Sequence, residues 1–154
     1  MNAVFADAGY WIALFNPRDQ LHTKALTVSN TLQGRSIVTS QMVLTEFLNH
    51  YAALGPPFRQ RAVQVVHSLQ DDPEVEIVPQ TEAQFTAALA LYAQRPDKEW
   101  GLTDCASFLI MQESGVLRKP WHTMTISTKQ GSFLSCVTVR GKPCPCSSSP
   151  AALL

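Results

Sequence analysis

Short apolar runs alternate along the chain with longer segments in which apolar residues recur every three or four positions. The short runs predict strands at residues 4–6, 36–39 and 75–78, the last with Glu74 and Glu76 turned towards water. The helical spacing predicts helices that begin near residues 10, 19, 41, 58, 82 and 104. This alternation is typical of an α/β fold with a central parallel sheet between two layers of helices, a three-layer α/β/α arrangement with right-handed crossovers.

Three acidic residues interrupt these otherwise apolar segments. Asp7 follows the first strand, Glu46 falls among apolar positions of the helix that begins at Gln41, and Asp104 follows Thr103 at the start of a helix. Thr103 is expected to be the N-cap and Asp104 the first helical residue, which by itself explains an acid there. In a parallel sheet the three carboxylates would meet at one rim, where a hard divalent cation, Mg²⁺ or Mn²⁺, would neutralise their repulsion.

Length, charge and cysteine content narrow the class of protein. The chain has 154 residues, no net charge and four cysteines. We expect one domain with free thiols, and a neutral balance that gives no overall attraction to nucleic acid. We expect a cytoplasmic protein with no membrane partner, because no apolar run has spanning length and the N-terminus lacks a secretory signal.

Three segments carry a family resemblance. Residues 5–11 (FADAGYW), 45–49 (TEFLN) and 97–108 (DKEWGLTDCASF) resemble the three motifs of bacterial PIN domains, the VapC-like ribonucleases of toxin–antitoxin pairs. The resemblance implies a metal-dependent endoribonuclease in which Asp7, Glu46 and Asp104 match the acidic metal ligands. It also implies supporting polar roles for three neighbours: Thr103, Ser107 and Asn49.

The C-terminal part departs from the family, which usually carries a fourth acid in a motif resembling Ala-Leu-Thr-x-Asp-x-His-Phe. If each codon is read from the third base of the present one, Trp121 with His122 must give Ala and Met124 with Thr125 must give Asp. With permitted codons elsewhere, residues 117–127 become Thr-Glu-Ala-Leu-Ala-His-Asp-Asp-His-Phe. We therefore hypothesise a frameshift near Val116, which resequencing the locus would test.

The expected domain organisation follows from the hypothesised frameshift near Val116. Residues 1–116 would form the PIN-like core, residues 117–141 would add atypical strands, and residues 142–154 would be disordered.

The first functional hypothesis is a ribonuclease that cleaves single-stranded RNA, as the toxin of a toxin–antitoxin pair with a cognate antitoxin as partner. Homodimer formation is left open. Candidate RNA contacts are the cations Lys98, Arg95 and Arg18 and the aromatic rings of Tyr10 and Trp11. Ordinary surface charge is the simpler explanation of the three cations, and core packing is the simpler explanation of Trp11. The second hypothesis is an RNA- or antitoxin-binding domain that lacks the fourth acid and does not cut. A phosphohydrolase with Asp7 as nucleophile is disfavoured, because Gly9 stands where a second acid is needed.

Overall fold

A computed structural model describes residues 3–116, which contain three strands and six helices. The strands are β1 (Val4–Phe5), β2 (Ile37–Ser40) and β3 (Val75–Val78). The helices are α1 (Ala8–Phe15), α2 (His22–Thr31), α3 (Gln41–Ala52), α4 (Pro56–Asp71), α5 (Glu82–Gln94) and α6 (Leu102–Glu113).

The strands form one parallel sheet in the order β1-β2-β3, with Val4 opposite Ile37 and Ile37 opposite Val75. Parallel strands need crossover connections, and here α1 with α2 and α3 with α4 supply them. Helix α3 packs against α1, α4 and α6, and α5 packs against α6. The predicted α/β fold with a parallel sheet is therefore confirmed, and the carboxyl ends of β1 and β2 lead directly into α1 and α3.

The core explains why the short strands form. Val4, Phe5 and Val38 are fully or almost fully buried in the sheet, and Phe47 of α3 and Met111 of α6 pack into the same cluster. β3 follows the predicted alternation, since Glu74 and Glu76 are exposed. Burial of Val4 and Phe5 stabilises β1, a strand of only two residues with few backbone hydrogen bonds of its own.

The predicted start of α6 was wrong by two residues. Helix α6 begins at Leu102, so its N-cap is Gly101 rather than Thr103, and Asp104 is the third helical residue rather than the first. The prediction relied on side-chain capping by Thr103, whereas Asp104 reaches back to the backbone of Gly101. Asp19 likewise lies in the turn before α2, where its carboxylate accepts a hydrogen bond from the Leu21 N–H.

None of the helices within residues 3–116 is both long and apolar enough to cross a bilayer. The predictions for residues 117–154, including the missing fourth acid, lie outside the described residues.

Candidate active site

Asp7 lies at the junction between β1 and α1, as the N-cap residue of that helix. Its Oδ1 accepts a hydrogen bond of 3.0 Å from the backbone N–H of Tyr10. Its backbone is extended at φ −92° and ψ 177°, the usual conformation of an N-cap residue. The carboxylate is thereby held at the carboxyl edge of the sheet, next to the positive end of the α1 dipole.

A buried hydroxyl fixes the backbone immediately before Asp7. Thr39 is fully buried in β2, and its Oγ1 donates to the carbonyl oxygen of Ala6 at 2.9 Å. The same Oγ1 accepts a 3.2 Å hydrogen bond from the indole Nε1 of Trp11. Thr39 therefore joins β2, the end of β1 and the first turns of α1 around the candidate ligand, a role that the strand pattern did not reveal.

Asp104 lies in the first turn of α6. Its Oδ2 accepts a 2.7 Å hydrogen bond from the backbone N–H of Gly101, so this acid does cap its own helix. The side chain is half-buried, as is that of Thr103, whereas Ser107, one turn further along α6, is buried. A Cβ at Gly101 would lie in ordinary van der Waals contact with Asp104 Oδ2, at 3.5 Å.

Glu46 is the most exposed of the three acids. It lies in the second turn of α3, the helix whose start is capped by Ser40 accepting from the Val43 N–H at 3.2 Å. Asn49 follows one turn later and is also exposed. Because α3 packs against both α1 and α6, Glu46 stands on the element between the other two acids, with a long side chain that can change rotamer.

Burial and mutual repulsion perturb the ionisation of this cluster. Burial raises the pKa of Asp7 from 3.8 to about 7, and the negative charges of Asp104 and Glu46 add to the rise. Hydrogen bonds from the backbone of Tyr10 and Gly9 oppose it without cancelling it. Burial also raises the pKa of Asp104, against the effect of the Gly101 hydrogen bond. Asp7 therefore experiences the charge of both other acids, as expected if all three face one site.

The cluster fits a divalent cation in its donor chemistry. Carboxylate oxygens are the ligands preferred by Mg²⁺ and Mn²⁺, and no lysine or arginine in the described residues is among the main influences on the pKa of Asp7 or Asp104. Within residues 3–116, however, no three His, Cys, Asp or Glu side chains converge closely enough to form a ready metal centre. The three acids are therefore coupled electrostatically without converging on one metal position in this structure.

The suggested RNA-contacting groups occupy other roles. Tyr10 and Trp11 are 1% and 2% exposed, so neither ring can stack on a base in this structure and both belong to the core. Arg95 and Lys98 are both within ion-pair distance of Asp97. Arg18 is exposed beyond the C-terminal end of α1, whereas Asp7 lies at the opposite end of that helix.

Comparisons with known proteins agree with this architecture. The PIN domain family matches residues 4–116, which is most of the chain, and the protein belongs to that family. Among solved structures, the chain is similar to the Mycobacterium tuberculosis toxin VapC20, which cleaves the sarcin–ricin loop, with 22% sequence identity and a TM-score of 0.63. That match covers 72% of this chain and 82% of VapC20 and supports the shared fold. A comparison with curated proteins by sequence finds no match.

Proposed function

We propose that the protein is a divalent-cation-dependent endoribonuclease, with Asp7, Glu46 and Asp104 as the residues that hold the cation. The single observation that carries this proposal is the electrostatic coupling of Asp7 to both other acids, which lie on the neighbouring helices α3 and α6. Acids arranged in this way lower the stability of the free protein and are compensated when a cation binds. The PIN family match supports the same conclusion.

Each residue has a distinct part in this proposal. Asp7 and Asp104 each use one oxygen to cap a helix and keep the second oxygen for the cation. Glu46 is free to rotate towards the cation or to orient a water molecule. When bound, Mg²⁺ or Mn²⁺ would activate water and neutralise charge on the scissile phosphate. Thr103 and Asn49 would supply polar contacts around the RNA strand, whereas Ser107 is buried and would support the site from within α6.

The test is cleavage of single-stranded RNA by the full chain, with and without Mg²⁺ or Mn²⁺. Asp7→Asn should lower the rate by on the order of 100-fold or more, since loss of a direct ligand should exceed the 10–100-fold typical of groups behind the ligands. Glu76→Gln is a matched control, because Glu76 is exposed on β3, which pairs with β2 on the side away from β1. Cleavage that persists in Asp7→Asn, or that a chelator leaves unchanged, would reject the proposal.

The alternative is a domain that binds RNA or an antitoxin without cutting. The incomplete convergence of the acids favours it, since no three potential ligands in residues 3–116 meet as a ready centre. In that case RNA binding would be measurable and would survive Asp7→Asn, while no cleavage would be seen at any concentration of Mg²⁺ or Mn²⁺.

An antitoxin is the second partner in this proposal. A pocket of about 60 Å³ between α1, α3 and α4 has suitable chemistry, being lined mainly by apolar side chains that include Phe15, Phe47 and Phe58. The hydroxyl of Tyr51 is buried there without a hydrogen-bond partner, and Arg61 also lines the pocket. A pocket of this volume takes at most one antitoxin side chain, and a hydrogen-bond acceptor on that side chain would satisfy the hydroxyl. Co-expression with the product of a neighbouring small reading frame, followed by co-purification, tests the pairing.

A further inference from the structure

The loop between α5 and α6 contains an arginine that is held on two sides. Arg95 Nε donates to Asp97 Oδ1 and Arg95 Nη2 donates to Asp97 Oδ2, both at 2.8 Å. The face of the same guanidinium lies over the ring of Trp100, with 5.1 Å from Arg95 Cζ to the ring centroid. A guanidinium bound at its edge and on its face has little freedom to rotate.

Trp100 connects this arginine to the candidate active site. Its ring is buried, and it packs edge-on against Phe108 of α6 with 4.8 Å between ring centroids. The next residue in the chain is Gly101, whose N–H donates to Asp104 Oδ2 at 2.7 Å. The position of Trp100 therefore determines where the donor for the Asp104 carboxylate lies.

These contacts fix orientation more than they add stability. Asp97 is 55% exposed, and exposed ion pairs contribute little to the free energy of unfolding. The pair is nevertheless well formed, since the hydrogen bonds from Arg95 lower the pKa of Asp97 to about 2. Two parallel hydrogen bonds impose a geometry that a single charge contact does not.

We propose that Arg95 is a positioning residue for Asp104, acting through Trp100 and the Gly101 N–H rather than by contact with RNA. This inference rests on the proposed nuclease function for its catalytic consequence, but its structural part concerns the metal-free protein alone. Arg95 and Asp97 act as one pair in this positioning, so that removing either side chain loosens the loop between α5 and α6.

The structural part is tested by hydrogen exchange of the Gly101 amide, followed by NMR in the metal-free full chain. Arg95→Ala and Asp97→Ala should each speed exchange about tenfold, and the double variant should add little because both changes break one interaction. Arg95→Lys keeps the charge but cannot form the two parallel bonds, so it should behave in the same direction. Arg35→Ala, which removes a cation before β2, is the matched control. Unchanged Gly101 exchange in folded Arg95→Lys and Asp97→Ala would overturn the inference.

The catalytic part is tested by the Mn²⁺ concentration that gives half-maximal binding and half-maximal cleavage. Both Arg95→Ala and Asp97→Ala should raise it about tenfold, the size typical of residues that orient a metal ligand, with little change in KM for RNA. If Arg95 instead contacted RNA, Arg95→Ala would raise KM and Asp97→Ala, by releasing a cation, would lower it. Opposite shifts in KM would therefore overturn the positioning role.

The two proposals fail in different ways. If the unsubstituted protein neither binds Mn²⁺ nor cleaves RNA, the nuclease proposal fails, while faster Gly101 exchange in the variants still supports the link from Arg95 to Asp104. If the protein cleaves RNA and Gly101 exchange is unaffected, the nuclease proposal stands and the positioning role is rejected.

Discussion

Replacing Asp7 by Asn should stabilise the metal-free protein at alkaline pH, although the same change should lower the rate of RNA cleavage by on the order of 100-fold or more. An asparagine side-chain oxygen can still accept the hydrogen bond from the Tyr10 N–H, and Asn is a good N-cap residue. What the variant loses is a negative charge that burial and the charges of Asp104 and Glu46 disfavour. The substitution therefore removes an unfavourable buried charge and keeps the N-cap hydrogen bond of α1.

The size of the effect follows from the ionisation of Asp7. Its pKa is about 7 in the folded protein against 3.8 for an unperturbed carboxyl group. At about 1.36 kcal/mol per unit, that difference corresponds to an upper limit of about 4 kcal/mol when the group is fully ionised. For a protein of this size, each kcal/mol is roughly 3 °C in Tm, so the limit is on the order of 10 °C.

The pH dependence has a definite sign. Between pH 3.8 and about 7 the folded state binds more protons at Asp7 than the unfolded state does. The contribution of Asp7 to the free energy of unfolding therefore falls as pH rises through this window and stays low above it. The advantage of Asp7→Asn should be close to zero at pH 4 and reach its maximum near pH 8.

The assay is urea unfolding of both proteins with a chelator present, at pH 4.5, 6 and 8, with Glu76→Gln as the control. Adding Mg²⁺ or Mn²⁺ at pH 8 should stabilise the unsubstituted protein more than the variant and narrow the gap, since the cation binds only the folded state. A variant that is less stable at pH 8, or whose advantage is the same at every pH, would refute the reasoning.

Other substitutions test the remaining parts of the site. Glu46→Gln should lower cleavage at least tenfold but change the free energy of unfolding by less than about 0.5 kcal/mol, because Glu46 is exposed; urea unfolding beside the RNA assay checks both. Thr39→Val should cost about 1–3 kcal/mol in urea unfolding, because the buried indole N–H of Trp11 loses its acceptor, and Thr39→Ser should recover most of that loss. Ser40→Ala should cost about 1 kcal/mol through loss of the α3 cap, measured by the same method, and an unchanged unfolding midpoint would contradict that account.

The sequence predicted the number and order of the strands and helices because burial patterns dominate them, but the starts of α1, α2 and α4 lie two to three residues from the predicted positions. β2 and β3 lie within one residue of their predicted bounds, and Ser40 caps α3 as expected. The start of α6 was missed because Gly101 has no side chain to mark it as a cap, and the deciding contact is a backbone N–H to Asp104. Helix boundaries set by the backbone leave little trace in a side-chain pattern.

The sequence singled out the three candidate acids but not the residues that surround them. Asp7, Glu46 and Asp104 stood out because charged residues within apolar segments need compensation. Thr39 and Arg95 did not, since a threonine in a strand and an arginine after a helix are both ordinary. Thr39 matters because it forms hydrogen bonds with Trp11 and Ala6, which lie 28 and 33 residues away in the sequence. Arg95 matters because its guanidinium stacks over the ring of Trp100.

Asp7 and Asp104, the candidate metal ligands at the starts of α1 and α6, also stabilise those helices, because each accepts a backbone hydrogen bond with one carboxylate oxygen. The side-chain oxygen of asparagine can accept the same backbone hydrogen bond, and every Asp codon becomes an Asn codon by a single base change. If the proposed nuclease function holds, a single base change at either codon would give a folded protein without cleavage activity. In this protein, a substitution can therefore remove a candidate metal ligand without unfolding the helix that carries it.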